Sequence, residues 1–98
     1  MYSPITVFRD SDGCIADYPV YLHSITVLVS AGGHGVTVYD DNHANSERQM
    51  ILLESPNNEA KTFSWKPPIK LQRGLYVDLS ASCDGVTVVY SYELSERV

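Results

Sequence analysis

The chain has 98 residues and a formal net charge of −5, and its few basic residues are scattered singly. The length predicts one domain, and the missing basic face argues against DNA or RNA as a partner. No apolar stretch reaches the roughly 20 residues that span a bilayer, so we expect no membrane partner.

Short runs of β-branched and aromatic residues, separated by turn residues, follow one another along the chain. They predict about eight short strands, at residues 5–8, 23–31, 36–40, 50–54, 61–65, 69–72, 74–81 and 85–93. Their spacing is typical of an all-β fold, and we predict an antiparallel β-sandwich of jelly-roll type. Helix-forming residues concentrate at 42–50, where we expect one short turn at most.

Two hairpins are expected from this pattern. Residues 23–31 and 36–40 flank the glycine-rich turn 32–35, and residues 74–81 and 85–93 flank a Cys-Asp-Gly turn. Alternation along these runs places one set of side chains in the core and the other set outside. The expected core residues are Leu75, Val77, Leu79, Val86 and Val88. In the run 23–31, Ile25, Val27 and Val29 share one face and Ser24, Thr26 and Leu28 share the other.

Three further segments have a less regular pattern. Four consecutive apolar residues at 50–53 predict a strand that is covered on both faces. Phe63 and Trp65 share one face of the run 61–65, where packing in the core is favoured over a sugar-binding platform. Pro67 and Pro68 are expected to end that run.

No set of residues with catalytic spacing occurs in the sequence, and we expect no enzyme activity, no cofactor and no metal site. His23, His34 and His43 match no metal-ligand spacing, and we expect them to be exposed. Asp40, Asp41, Asn42 and Glu47 could offer oxygen atoms to Ca²⁺, but their spacing is not that of an EF-hand. A solvated acidic loop is favoured there, and weak calcium binding stays open.

The two cysteines, Cys14 and Cys83, have no CxxC spacing. Residues 1–13 lack the basic and apolar regions of a signal peptide, so we expect synthesis in the cytoplasm. In that reducing compartment free thiols are favoured, although a bond between the two cysteines stays open.

Two segments, HSITVLVSAGGHGVTVYDD at 23–41 and FSWKPPIKLQRGLYVDLSASCDGVTVVYSYE at 63–93, carry a family resemblance. Over residues 20–93 the chain resembles small jelly-roll virion structural proteins of tailed bacteriophages, of the capsid decoration or cement type. The resemblance implies a non-enzymatic protein that binds the major capsid protein of a phage head as a homotrimer. It also implies a virion location after synthesis in the host cytoplasm. Jelly rolls of the tumour-necrosis-factor and complement type have comparable patterns.

The resemblance divides the chain into residues 1–20, an arm or first strand that docks on a neighbour, and a sandwich domain at 21–98. A second hypothesis is a small carbohydrate- or receptor-binding module, as in phage tails or lectin-like domains. Seven tyrosines among 98 residues fit either hypothesis, because tyrosine is favoured on surfaces that become half-buried in a partner.

Overall fold

A computed structural model describes residues 4–29, 35–54, 59–80 and 83–92. Its strands are β1 (Ile5–Arg9), β2 (Gly13–Ala16), β3 (Val20–Val29), β4 (Gly35–Tyr39), β5 (Gln49–Glu54), β6 (Glu59–Leu71), β7 (Leu75–Leu79) and β8 (Cys83–Ser91). One turn of 3₁₀ helix, Ser46–Arg48, precedes β5, and Asn45 caps it by accepting a bond from the Glu47 amide. The predicted all-β fold and the short turn within 42–50 are confirmed.

The strands form two antiparallel four-stranded sheets that pack face to face. Sheet A has the order β1-β8-β3-β6, and sheet B has the order β2-β7-β4-β5. Strands that follow one another in the chain therefore alternate between the sheets, with β4 and β5 as the exception. This is the strand order of a jelly roll, the type that the sequence predicted.

Both predicted hairpins are wrong. β3 lies in sheet A and β4 in sheet B, so the two strands do not pair with each other; β7 and β8 likewise lie in different sheets. β8 instead pairs with β1 and β3, and β7 pairs with β2 and β4. Alternation fixes which face of a strand is buried, but it is the same whether the next strand pairs with it or crosses to the other sheet.

The core lies between the inner faces of the two sheets, and the predicted inward residues are there. All of the expected core residues are buried except Leu79, which is partly buried against the cluster. Phe63 and Trp65 also pack against this cluster, as expected. Each fully buried valine or leucine contributes about 1.5–3 kcal/mol relative to an exposed one. The fully buried large side chains are Val20, Leu22, Ile25, Val27, Val29, Val36, Val38, Leu71, Leu75, Val77, Val86 and Val88.

Two strands differ from their predictions because both lie at sheet edges. β5 is the edge of sheet B, and its Met50 and Leu52 are exposed, so it is not covered on both faces. β6 continues through Pro67 and Pro68 to Leu71. Proline is tolerated there because β6 is the edge of sheet A and the register with β3 shifts opposite these residues.

Residues 5–16 of the expected N-terminal arm or first strand form β1 and β2. β1 pairs with β8 from Ile5↔Tyr90 to Arg9↔Val86, and β2 pairs with β7. The Arg9 guanidinium donates to the Cys14 carbonyl over 2.7 Å, which ties the two strands together where the chain crosses between sheets.

Candidate interaction surface

The outer face of sheet A carries rows of small hydroxyl and apolar side chains. Strand register aligns three rows across the sheet, namely Thr6–Val89–Ser24–Ser64, Phe8–Thr87–Thr26–Thr62 and Gly85–Leu28–Ala60. We call these three rows the threonine face. None of their residues is charged, although the chain as a whole has a net charge of −5.

The threonine face combines hydrogen-bonding groups with two exposed apolar side chains. The hydroxyls of Thr26 and Thr62 lie 2.8 Å apart in a hydrogen bond between neighbouring strands. Phe8 is 60% exposed and Leu28 is 43% exposed. A Cβ at Gly85 would lie 2.6 Å from the Phe8 ring, so glycine at this position lets the ring lie on the sheet. Since Gly85 is the cross-strand partner of Leu28, the apolar groups share one end of the face.

The outer face of sheet B has a different chemistry. Its rows include Asp78, Glu54 and the half-buried thiol of Cys14. Asp12 accepts a bond from the Leu79 amide over 2.7 Å. Burial, followed by repulsion from Asp12, raises the pKa of Asp78. Acidic groups therefore lie on the outer side of sheet B, and the two outer faces are electrostatically unlike.

The acidic loop 40–47 is solvated only in part, because its first two carboxylates are buried while most of its later residues are exposed. The Asp40 residue is 4% exposed. Its carboxylate accepts a bond from the Arg73 amide over 2.8 Å and pairs with the Arg48 guanidinium over 2.9 Å. The Asp41 carboxylate accepts a bond from the Asn45 side-chain amide over 3.0 Å. That bond, with one from the Asn42 amide, lowers the pKa of Asp41. Both carboxylates thus hold protein donors. Arg73 links them to the β6–β7 turn, through its amide at Asp40 and its guanidinium 3.8 Å from Asp41.

His23 and His43, the two histidines among the described residues, lie on separate elements. His43 is exposed, as expected, and bonds to the side-chain oxygen of Asn42 over 2.8 Å. His23 is half-buried, contrary to expectation, because it sits at the register shift of β3; it bonds to the Ser91 hydroxyl, and burial lowers its pKa. His34 lies outside the described residues, and Glu47 is exposed. Within the described ranges, no three His, Cys, Asp or Glu side chains could hold a metal ion together.

The two cysteines are free thiols in the structure, as favoured. Cys14 is partly buried on the outer side of sheet B, where it pairs in register with Tyr76. Cys83 is buried and donates to the Gly85 carbonyl. Burial is the largest cause that raises the pKa of each thiol, so both are poor nucleophiles at neutral pH.

Three tyrosines form a cluster at one end of the sandwich. Tyr90 is buried at the end of β8, and Tyr92 meets it edge-on at 5.9 Å between ring centroids. Tyr18, from the β2–β3 connection, packs against Tyr92 at 5.2 Å, and their hydroxyls lie 2.8 Å apart. This hydrogen bond raises the pKa of Tyr18 to about 12. Tyr18 and Tyr92 are 44% and 50% exposed, so the cluster closes the core and also offers two rings to a ligand.

No protein family, curated protein or solved structure matches the chain. Among the described residues there is also no helix with the length and apolar character needed to cross a membrane. Function therefore has to be inferred from the chemistry of the surfaces. Sequence reasoning placed Ser24, Thr26 and Leu28 together on one face of their strand, but it missed the threonine face because the strands beside β3 were not known.

Proposed function

We propose that the protein is a non-enzymatic virion structural protein, a capsid decoration protein that binds the head lattice as an oligomer. The observation that carries the proposal is the threonine face, an uncharged sheet surface on an acidic chain. The sequence resemblance to phage decoration proteins supplies the identity of the partner, the major capsid protein.

The threonine face suits docking onto a broad protein surface for energetic reasons. Burying a charged group without a partner costs far more than burying a hydroxyl that can form a new hydrogen bond. Phe8 and Leu28 add apolar area that is already exposed to water, at about 25 cal/mol per Å² buried. Interface cores are depleted in charge in the same way.

The matched pair Thr26→Lys and Thr37→Lys tests this proposal. Both threonines are half-buried on interior strands, but Thr26 is on the threonine face and Thr37 is on the outer face of sheet B. Co-sedimentation with purified heads of tailed phages should show binding that Thr26→Lys weakens about tenfold or more. Thr37→Lys should bind like the unaltered protein. The proposal would be contradicted if the heads do not bind the unaltered protein, or if they bind the two variants equally well.

A second candidate function, a carbohydrate-binding module, is favoured by the exposed pair Tyr18 and Tyr92. Aromatic rings with adjacent hydroxyls can pack against sugar rings and bond to their hydroxyls. Oligosaccharide titration, monitored by the near-ultraviolet circular dichroism of the tyrosines, should then show binding that Tyr18→Ala removes. Tyr39→Ala is the control, because Tyr39 forms a similar ring pair with Tyr76 on sheet B at 6.1 Å. A flat titration across a broad oligosaccharide panel would exclude this candidate.

A further inference from the structure

The four edge strands of the sandwich differ in how they are protected from pairing with another chain. Unpaired edges attract other strands, and proteins commonly guard them with lysine, proline or short length. β6 contains three lysines and two prolines, and β2 has four residues. β1 ends in Arg9, whose side chain bonds across to Cys14.

β5 has neither the lysines and prolines of β6 nor the short length of β2, but its register with β4 shifts at Met50, between Ile51 and Gln49. Its sequence, QMILLE, contains no proline, glycine or lysine. Among the residues that the structure describes, β4 is its one strand partner. Met50 and Leu52 on this strand are 43% and 55% exposed. An apolar edge of this kind favours the addition of a further strand, because the added strand pairs with the free backbone groups and also covers the apolar side chains.

We propose that β5 pairs antiparallel with β5 of a second copy of the chain. The twofold axis would join the two copies of sheet B into one sheet of eight strands, four from each copy. The proposal goes beyond the function proposed above and does not depend on it. It also differs from the homotrimer that the family resemblance implies, because a twofold contact between identical edges closes after two subunits.

Charge favours a second copy in this orientation. Arg48 lies just before β5, and Glu54 is its last residue. Antiparallel pairing brings Glu54 of one copy towards Arg48 of the other, which also pairs with Asp40 of its own chain, whereas parallel pairing would place like charges side by side. Pairing centred on Ile51 or on Leu52 keeps the apolar side chains of the two strands in contact and opposes no two like charges.

The size of the contact sets its expected strength. A six-residue strand is about 20 Å long, so an edge contact one sheet thick buries less than the roughly 1,200 Å² of a standard interface. We therefore expect a weak dimer, with a dissociation constant of roughly 10–1,000 µM. Association has to be measured up to the millimolar range.

Sedimentation equilibrium of the full chain tests the proposal with Leu52→Lys and a matched control, Phe8→Lys. Both residues are more than half exposed, but Phe8 lies on the threonine face. Leu52→Lys should weaken dimerisation about tenfold or more, because it places like charges near the twofold axis. Phe8→Lys should leave it unchanged. A mixture of Leu52→Lys with Leu52→Glu should restore the dimer.

Amide hydrogen exchange supplies a readout that needs no substitution. Raising the protein concentration through the dissociation range should slow the exchange of alternate β5 amides and leave β1 unchanged. A chain that stays monomeric at millimolar concentration would overturn the proposal. So would a trimer, an association that Phe8→Lys abolishes and Leu52→Lys does not, or exchange in β5 that is independent of concentration.

Discussion

Replacing Val88 with aspartate should unfold the protein at neutral pH, while the same change at the adjacent Thr87 should be tolerated. Val88 is fully buried on β8, between Val7 of β1 and Ile25 of β3. Thr87 is half-buried on the threonine face, between Phe8 and Thr26. The two substitutions alter one strand equally and differ in the face that receives the carboxyl.

The magnitude follows from two costs. Loss of the buried apolar side chain costs about 1.5–3 kcal/mol. An aspartate carboxyl has an ordinary pKa of about 3.9, so keeping it protonated at neutral pH costs about 4 kcal/mol, at about 1.4 kcal/mol for each pH unit above that pKa. The total of about 6 kcal/mol is comparable to the roughly 5–15 kcal/mol that stabilises a small domain. At Thr87 we expect a loss of about 1 kcal/mol, from the poor β propensity of aspartate.

Urea unfolding followed by circular dichroism measures both effects. Burial raises the pKa of an aspartate at position 88 in the folded state, so its ionisation cost is absent below about pH 4 and grows as pH rises. The difference in stability between Val88→Asp and Val88→Asn should therefore shrink as pH falls from neutral to about 4. Equal destabilisation by Val88→Asp and Thr87→Asp would refute the assignment of the faces.

Three further outcomes are expected. Gly35→Ala should destabilise the β4–β5 hairpin, since a Cβ there would overlap the backbone carbonyl of Leu53; a urea midpoint unchanged from that of the unaltered protein would contradict this. Tyr92→Phe should bring the pKa of Tyr18 from about 12 back towards 10 in a spectrophotometric titration, because the hydrogen bond is lost. Because folding lowers the pKa of Asp41, the ionised Asp41 carboxylate stabilises the fold above about pH 4. This stabilisation is lost as pH falls through the pKa of the folded state. Asp41→Asn should therefore cost more in urea unfolding at neutral pH than in acid.

Alternation in the sequence predicted the buried faces well, because side chains of a strand point to opposite sides whatever the strand's partners are. Val77, Val86 and Val88 are buried, as expected, and the shared face of Ile25, Val27 and Val29 is the buried one. The same pattern gave the wrong pairing for β3 with β4 and for β7 with β8. Each sheet of a sandwich buries its own inner face, so the alternation of apolar and polar residues along two successive strands is the same whether they form a hairpin or lie in different sheets.

The surfaces were less predictable because they depend on residues that are distant in sequence. The threonine face joins four strands, and its central hydrogen bond links Thr26 with Thr62. Asp40 is buried because the Arg73 amide, 33 residues later, donates to its carboxylate. The exposed edge at β5 was also missed, since four consecutive apolar residues fit a covered strand equally well.

The pairing of β1 with β8 has a consequence for how the chain acquires its fold during synthesis. β8 leaves the ribosome after the other strands that the structure describes, yet it lies between β1 and β3 in sheet A. Until Cys83–Ser91 has emerged, β1 lacks β8, its pairing partner among the described strands, and the threonine face is incomplete. We therefore expect sheet A to close after translation of β8, in one slow step limited by contacts between distant residues. A nascent chain arrested before β8 should remain sensitive to protease throughout β1.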